Sequence, residues 1–303
     1  MAKRTGESAA ASSPVPATEE AFGLGEGPVW DARGGKLFWV DIVRRQVCRG
    51  RFDGDHLVVE KRLGFAGLVG AVCVGEDGSL LVAEQESLVL VRPGCERLVG
   101  PRVVPAGEHR RLNDGKSDPA GRFLVGTLCL AGASERETLV RLEPGGELTV
   151  LDDDLTLSNG LAWSTDGALM FSVDTLRRTV HVRDYEPLGP RRTFVTLDDG
   201  YPDGIAMDAA DHLWVAVWGA GEVRRYDPRG TCVERVAVPA PHTSSVAFAD
   251  DDLRRLVITT ATEELTEQQR LDFPDSGRVF TTRVDVPGHP VPAWSGTTHL
   301  WSS

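Results

Sequence analysis

The stretch KLFWVDI (36–42) is the first of six short apolar segments that recur along the chain. The others are SLLVAEQ (79–85), RFLVGTL (122–128), ALMFSVD (168–174), HLWVAVW (212–218) and RLVITTA (255–261). Their first residues lie 43, 43, 46, 44 and 43 positions apart. Each segment follows a polar turn containing Gly or Asp, and before the turn comes another short run, which is largely apolar in five repeats. A strand, such a turn and a second strand make a β-hairpin.

The rest of each repeat alternates more weakly, as in TVHVRDY (179–185) and RRTFVTL (191–197). This pattern gives about four strands in about 44 residues, which is the size of a propeller blade. We therefore predict an all-β fold, a six-bladed β-propeller around a central channel. A β-sandwich with coincidental spacing is the alternative, and the five near-equal intervals disfavour it.

The chain ends bear on how the ring closes. MAKRTGESAAASSPVPATEE (1–20) is small, polar and Pro-containing, so we predict a disordered tail there, followed by one propeller domain over 21–303. GRVFTTRVDVPG (277–288) alternates like a strand. A propeller is commonly closed by strands from both chain ends in one blade. We therefore expect residues 278–296 to pack on the ring.

Composition excludes several partners and compartments. The formal net charge is −12, from 45 acidic and 33 basic residues, which argues against nucleic acid and anionic membranes. No run reaches the roughly 18 apolar residues of a membrane span. The first 20 residues lack the apolar core of a secretion signal, so we expect a cytoplasmic protein. The five widely spaced cysteines, without CxxC, indicate neither a disulfide framework nor a zinc site.

One position of the repeat carries polar side chains. It lies at the start of the first strand of each blade, which runs along the channel, so the six residues should gather at one mouth. Four of them bear carboxylates or amides, and the other two are Gly70 and Ser244. The four are Glu26, Asn113, Asn159 and Asp203.

Two neighbouring carboxylates repel unless a cation lies between them or one is protonated. Oxygen ligands alone suit Ca²⁺, Mg²⁺ or Mn²⁺. The four-residue pattern therefore predicts a divalent-metal site in the channel. Each Asn or Asp taken singly is more typical of a turn than of a metal site, and it is their shared repeat phase, together with the poor turn former Glu26, that favours a site.

Other polar and aromatic residues are candidates for ligand contacts. Arg111 lies two positions before Asn113 and would project the same way, either to bind a polyhydroxylated ligand or to neutralise acidic neighbours. Trp218 ends the second strand of the fifth repeat and could wall the pocket or serve as packing. His242 is left unassigned.

These residues lie in stretches that resemble the SMP-30/gluconolactonase/regucalcin-like family. The matching stretches are GEGPVWD (25–31), LFWVDI (37–42), RLNDGKSDPAGRFLVGT (111–127), LSNGLAWSTDG (157–167), YPDGIAMDAADHLWVAVWGAG (201–221) and HTSSVAFA (242–249). The resemblance runs from about residue 21 to about residue 295, which is nearly the whole chain.

The resemblance implies a six-bladed propeller with one divalent ion, and many members hydrolyse lactones of sugar acids. It implies that Glu26, Asn159 and Asp203 bind the ion, with Ca²⁺ expected and Mg²⁺, Mn²⁺, Zn²⁺ or Fe²⁺ as alternatives. It also implies that Asp203 is the general acid/base and that Arg111 and Asn113 contact substrate. We assign Trp218 to the substrate pocket as well.

The chain departs from some animal members just after the third repeat's GT. Those members carry acidic residues there, one of which contacts the sugar, whereas this chain has Leu130 and Ala131. The particular lactone therefore cannot be carried over. We predict a metal-dependent lactonase acting on a small molecule. The alternatives are an organophosphate hydrolase of the same propeller type and a metal-binding propeller without catalysis.

Overall fold

A computed structural model describes residues 13–296 of the 303-residue chain. Within that range the chain forms 24 strands and one short helix. The helix, α1 (Glu267–Asp272), begins after the N-cap Thr266. The strands are β1 (Val15–Pro16), β2 (Gly25–Asp31), β3 (Lys36–Asp41), β4 (Gln46–Asp53), β5 (His56–Gly64), β6 (Val69–Val74), β7 (Leu80–Glu84), β8 (Ser87–Val91), β9 (Arg97–Arg102), β10 (Arg110–Ser117), β11 (Phe123–Cys129), β12 (Glu137–Leu142), β13 (Leu148–Leu155), β14 (Ser158–Trp163), β15 (Leu169–Asp174), β16 (Thr179–Asp184), β17 (Arg192–Thr196), β18 (Tyr201–Met207), β19 (Leu213–Trp218), β20 (Glu222–Tyr226), β21 (Cys232–Ala237), β22 (Thr243–Ala249), β23 (Arg255–Thr260) and β24 (Phe280–Arg283).

The strands form six antiparallel four-stranded sheets, which are the blades. Blades 1 to 5 are β2–β5, β6–β9, β10–β13, β14–β17 and β18–β21, and blade 6 has the order β22-β23-β24-β1. The first strands contact one another in a closed ring, β2-β6-β10-β14-β18-β22 and back to β2. The predicted six-bladed propeller is confirmed. Over residues 13–296, no helix is long and apolar enough to cross a membrane.

Each second strand of a blade is largely apolar, as expected of a strand that is buried on both faces. In β3, Leu37 and Trp39 pack in a cluster shared with blade 6, whereas Phe38 and Val40 pack in a cluster shared with blade 2. Successive side chains of a strand point to opposite faces, so one run serves two interfaces. The six apolar clusters lie at the six blade interfaces.

The predicted N-terminal tail is wrong over residues 13–20, and residues 1–12 lie outside the described part. Strand β1 pairs with β24, Val15 opposite Thr281. The Ala17 amide donates to Val279 O at 2.7 Å, and Ala17 and Thr18 are 2% and 4% exposed. A two-residue strand is too short to show periodicity in the sequence. The expected closure of one blade by both chain ends is confirmed.

The C-terminal stretch packs on the ring, as predicted. After β24, residues 288–295 cross one mouth of the channel, and we call this segment the strap. At blade 5, His289 donates its amide to Met207 O at 2.8 Å. At blade 2, the Trp294 backbone amide donates to Val74 O at 2.9 Å. At blade 3, the Ser295 backbone amide donates to Gly121 O, also at 2.9 Å. Blades 2 and 5 are opposite in a ring of six, so the strap spans the diameter of the ring.

Deleting residues 1–20 should lower the Tm by several degrees, because it removes β1 and the buried Ala17 and Thr18. About 1 kcal/mol corresponds to about 2–4 °C in a large domain. Calorimetric scans of the full chain and two truncations would measure this. Deleting residues 1–12 is the matched control, since it removes none of these contacts. Equal Tm values for both truncations would contradict the role of β1 in closing the ring.

Candidate functional site

The pairing of the first strand with the second is irregular at one position in all six blades, and in four of them two residues of the first strand face one of the second. In β10, Leu112 pairs with Thr127 and Gly115 with Val125, so two residues face one on the neighbouring strand. The same two-against-one arrangement recurs in β2, β14 and β18. A bulge turns side chains away from the regular pleat. The bulged pairs begin at or directly after the four predicted residues, which are Glu26, Asn113, Asn159 and Asp203.

Small residues inside the bulges let neighbouring strands approach closely. A Cβ on Gly160 would lie 2.4 Å from Asp203 O, and a Cβ on Gly204 would lie 2.0 Å from Ser245 Oγ. Side chains at these positions would push β14, β18 and β22 apart. The glycines following Asn159 and Asp203 thus keep the two polar residues on adjacent strands near each other.

Five polar residues form a buried cluster at this mouth. Each is only 5–7% exposed, and they are Glu26, Arg111, Asn113, Asn159 and Asp203. Arg111 Nη1 donates to Asn113 Oδ1 at 2.8 Å. Asn113 Nδ2 donates to Asn159 Oδ1 at 3.0 Å. The structure therefore brings together residues from β2, β10, β14 and β18 that are distant in the sequence.

The carboxyl groups of Glu26 and Asp203 lie within hydrogen-bonding reach of each other. Burial, and after it the charge of Asp114, raises the pKa of Glu26 to about 8. Burial, and after it the charge of Glu26, raises the pKa of Asp203 well above its usual value. Two buried carboxyls in contact need a shared proton or a cation between them.

The donor set fits a hard divalent cation. Asp203 Oδ1 is buried and has no hydrogen-bond partner among the described residues. Carboxylate oxygens of Glu26 and Asp203 and the amide oxygen of Asn159 are the ligand types that Ca²⁺ and Mg²⁺ accept. No group of three His, Cys, Asp or Glu side chains in residues 13–296 is placed to hold a metal. Any ion here would therefore depend on the Asn159 amide and on water.

Arg111 is a buried cation beside this cluster. Its Nη1 also donates to Leu112 O at 2.8 Å. Burial lowers the pKa of Arg111 to about 10, while the charges of Glu26 and Asp203 act in the opposite direction. The guanidinium therefore stays charged near neutral pH and offsets part of the negative charge in the pocket.

Trp218 lies at the end of β19, opposite Tyr201, which is two residues before Asp203. Its ring stacks on His242 with centroids 4.2 Å apart and planes at 11°. His242 Nδ1 lies 2.9 Å from Glu263 O. Packing on His242 is thus one role of Trp218, and its contact with substrate stays a prediction. No role was predicted for His242, although it begins the family-like stretch HTSSVAFA (242–249).

Two further polar residues, the buried Asp114 and the half-buried Lys116, were not among the predicted site residues. Asp114 contributes to the raised pKa values of Glu26 and Asp203, and Lys116 Nζ donates to Ile205 O at 2.6 Å. Both belong to β10, the strand whose polar sequence differs from the other repeats. That difference was the signal for them. Thr175, which contacts Asn159, had no such signal.

A cavity of about 560 Å³ lies at the opposite mouth under the strap. Its walls come from the far ends of the first strands and are mainly apolar, with Trp30, Trp163, Met207 and Phe248 among them. The strap covers it with residues 289–293. The carboxyls of Asp31 and Asp250 in its lining are paired with Arg33 and Arg255, unlike the adjacent carboxyls of Glu26 and Asp203 at the other mouth.

Known proteins share this architecture. A family model described as SMP-30/Gluconolactonase/LRE-like region matches residues 24–262. The 6-deoxy-6-sulfogluconolactonase of Pseudomonas putida is 35% identical over 286 residues, covering 90% of this chain and 95% of that protein. Regucalcin of Xenopus laevis is 31% identical over 291 residues, covering 91% and 96%. The crystal structure of a calcium-binding regucalcin from Agrobacterium tumefaciens has a TM-score of 0.86 at 26% identity, covering 94% and 97%.

The fold and the polar mouth define a six-bladed propeller with a buried cluster of polar and acidic residues at one end of its channel. The chain belongs to the SMP-30/gluconolactonase/LRE-like family. The family predicted from the sequence stretches is confirmed.

Glu26→Gln should stabilise the chelator-treated protein at pH 8, because it removes one of two buried carboxyls in contact. We expect the free energy of unfolding to rise by something on the order of 1 kcal/mol. Urea titrations in excess chelator would measure it. Glu137→Gln is the matched control: Glu137 is fully buried and accepts from Arg110 Nε at 3.1 Å, so this change should destabilise the protein. Destabilisation of similar size in both variants would contradict the repulsion at Glu26.

Proposed function

We propose that this protein hydrolyses a small sugar-type lactone with the help of one divalent metal ion. The observation that carries the proposal is the contact between the buried carboxyls of Glu26 and Asp203, with Asp203 Oδ1 lacking a partner in the described structure and the Asn159 amide nearby. The relative named 6-deoxy-6-sulfogluconolactonase supports lactone hydrolysis. The regucalcins, one of which is described as calcium-binding, support a calcium ion.

Glu26, Asn159 and Asp203 would hold the ion. An ion held there would supply Lewis-acid chemistry, polarising the ester carbonyl and offsetting the negative charge that develops on its oxygen. With a divalent ion bound, Asp203 would be held as the carboxylate, because a positive charge favours the ionised form. It can accept a proton from the attacking water and return it to the leaving hydroxyl of the opened ring. Proton transfer of this kind contributes roughly 10²–10⁴-fold to the rate.

Arg111 and Asn113 would bind and orient the substrate. Arg111 is held by Leu112 O and Asn113 Oδ1, which fixes the guanidinium beside the carboxyl pair. A planar, charged guanidinium suits the hydroxyl and carbonyl oxygens of a lactone or an anionic group attached to it. Holding the substrate in the reactive geometry in this way raises the rate of the chemical step. Trp218 would supply an aromatic wall at the same end of blade 5.

A turnover screen tests the proposal directly. Metal-stripped protein would be resupplied with Ca²⁺, Mg²⁺, Mn²⁺, Zn²⁺ or Fe²⁺ and assayed on aldonolactones and on an organophosphate triester. We expect metal-dependent lactone opening, read by acid release. Turnover of the triester alone would favour the organophosphate hydrolase, and binding of metal without turnover would favour a non-catalytic propeller.

Asp203→Asn should lower lactone turnover by at least about 10²-fold and weaken metal binding, because it removes both a charge and the base. Asn159→Asp keeps size and adds a charge, so metal affinity should be kept or raised while turnover changes. Asp227→Asn is the matched control, since Asp227 Oδ1 accepts from Arg229 N and Thr231 N at 2.9 Å in an ordinary turn. If Asp203→Asn behaves like Asp227→Asn in calorimetric titration and turnover, Asp203 is only a turn residue.

A further inference from the structure

We propose that Thr175 is a positioning residue that fixes the orientation of the Asn159 side-chain amide, so that Asn159 Oδ1 faces the channel. This inference rests on the proposed function, because Asn159 Oδ1 matters to catalysis only as a metal ligand. Thr175 follows β15 and is 7% exposed. None of the family-like stretches in the sequence includes it.

The polarity of the hydrogen bonds determines which way the Asn159 amide points. Thr175 Oγ1 donates to Pro202 O at 2.9 Å. A carbonyl oxygen can only accept, so the single hydroxyl proton of Thr175 is committed there. The hydroxyl oxygen is then left to accept, and Asn159 Nδ2 donates to it at 3.0 Å. This contact requires the amide nitrogen on the Thr175 side and the amide oxygen on the other.

The opposite side of Asn159 imposes the same orientation. Asn113 Nδ2 donates both to Ser158 O at 2.9 Å and to Asn159 Oδ1 at 3.0 Å. Because Ser158 O is an acceptor, the nitrogen of Asn113 must lie here, and it faces the oxygen of Asn159. Reversing the Asn159 amide would place two donors together at Asn113, and Asn159 Oδ1 against the accepting oxygen of Thr175. Buried polar groups without partners are costly, so one orientation dominates.

Thr175 also joins two blades at the site. Its backbone belongs to the turn after β15 in blade 4, whereas its hydroxyl contacts Pro202 of β18 in blade 5, directly before Asp203. The Thr175 hydroxyl therefore links the Asn159 amide to the strand that carries Asp203. This fixes two of the three proposed metal ligands relative to each other.

Blade 1 shows that the turn itself does not need a hydroxyl. There Ile42 takes the place of Thr175: Ile42 N donates to Leu24 O at 3.0 Å, as Thr175 N donates to Leu157 O at 3.1 Å. The preceding aspartates, Asp41 and Asp174, each accept backbone amides of the segment before the first strand. The same turn thus forms around an apolar residue. The hydroxyl of Thr175 is an addition in the blade that carries Asn159.

Thr175→Val removes the hydroxyl and keeps the shape. Calorimetric titration of Ca²⁺ into metal-stripped protein should show a Kd about 10–100-fold higher than wild type, the range typical of partners that orient a ligand. Thr175→Ser, which keeps the hydroxyl, should restore the wild-type Kd. Lactone turnover by Thr175→Val should recover toward the wild-type kcat as Ca²⁺ is raised, because the reacting groups remain.

Thr281→Val is the matched control for lost hydrogen bonding. Thr281 on β24 is 1% exposed and its Oγ1 donates to Leu256 O at 3.2 Å, so this variant should lose stability without losing Ca²⁺ affinity. Thr175→Ala serves as a second variant should Thr175→Val fail to fold.

A wild-type Kd in the folded Thr175→Val or Thr175→Ala protein would overturn the positioning role and leave the proposed function intact. An increase in Kd that Thr175→Ser does not reverse would also overturn it, because the effect would then come from shape. Absence of Ca²⁺ binding and of lactone turnover in the wild-type protein would overturn the proposed function, and the role of Thr175 with it.

Discussion

Burial of the second strand of every blade on both faces is the constraint on which the structure depends. A strand such as β3, with Leu37 and Trp39 on one face and Phe38 and Val40 on the other, cannot be covered by its own blade. Each blade needs two neighbours, so the ring is stable only when it closes. Pairing of β1 with β24 supplies that closure, and the strap adds a second connection between distant blades.

A closed ring also explains the site. Six equivalent first strands surround one channel, and bulges at one phase of the repeat aim four side chains at the same mouth. The rigid ring holds Glu26 and Asp203 in contact although their carboxyls repel. The repulsion makes the folded protein less stable than it would be with apolar side chains at these two positions. A bound cation would offset this repulsion. The opposite mouth, covered by the strap, is lined mainly by apolar side chains, and Asp31 and Asp250 in its lining are paired with Arg33 and Arg255.

The repeat spacing was enough to predict six blades, and the shared repeat phase was enough to predict that Glu26, Asn113, Asn159 and Asp203 lie together. Both depend on periodicity, which a sequence displays directly. Val15 and Thr175 were missed for the opposite reason. Val15 pairs with the distant Thr281, and Thr175 contacts the distant Pro202. A single long-range contact of this kind produces no periodic pattern in the sequence. The pattern also predicted a divalent-metal site, whereas the assignment of particular metal ligands and substrate contacts came from the family resemblance, because those roles depend on bound ligands.

A crystal structure of the protein saturated with Ca²⁺, with the anomalous signal of calcium recorded, tests the central claim most directly. The account predicts one strong peak at the mouth of the channel, about 2.3–2.6 Å from carboxylate oxygens of Glu26 and Asp203 and from Asn159 Oδ1, with water completing the coordination. A structure in which the two carboxyls share a proton and no peak lies between them, under conditions that support lactone turnover, would contradict it.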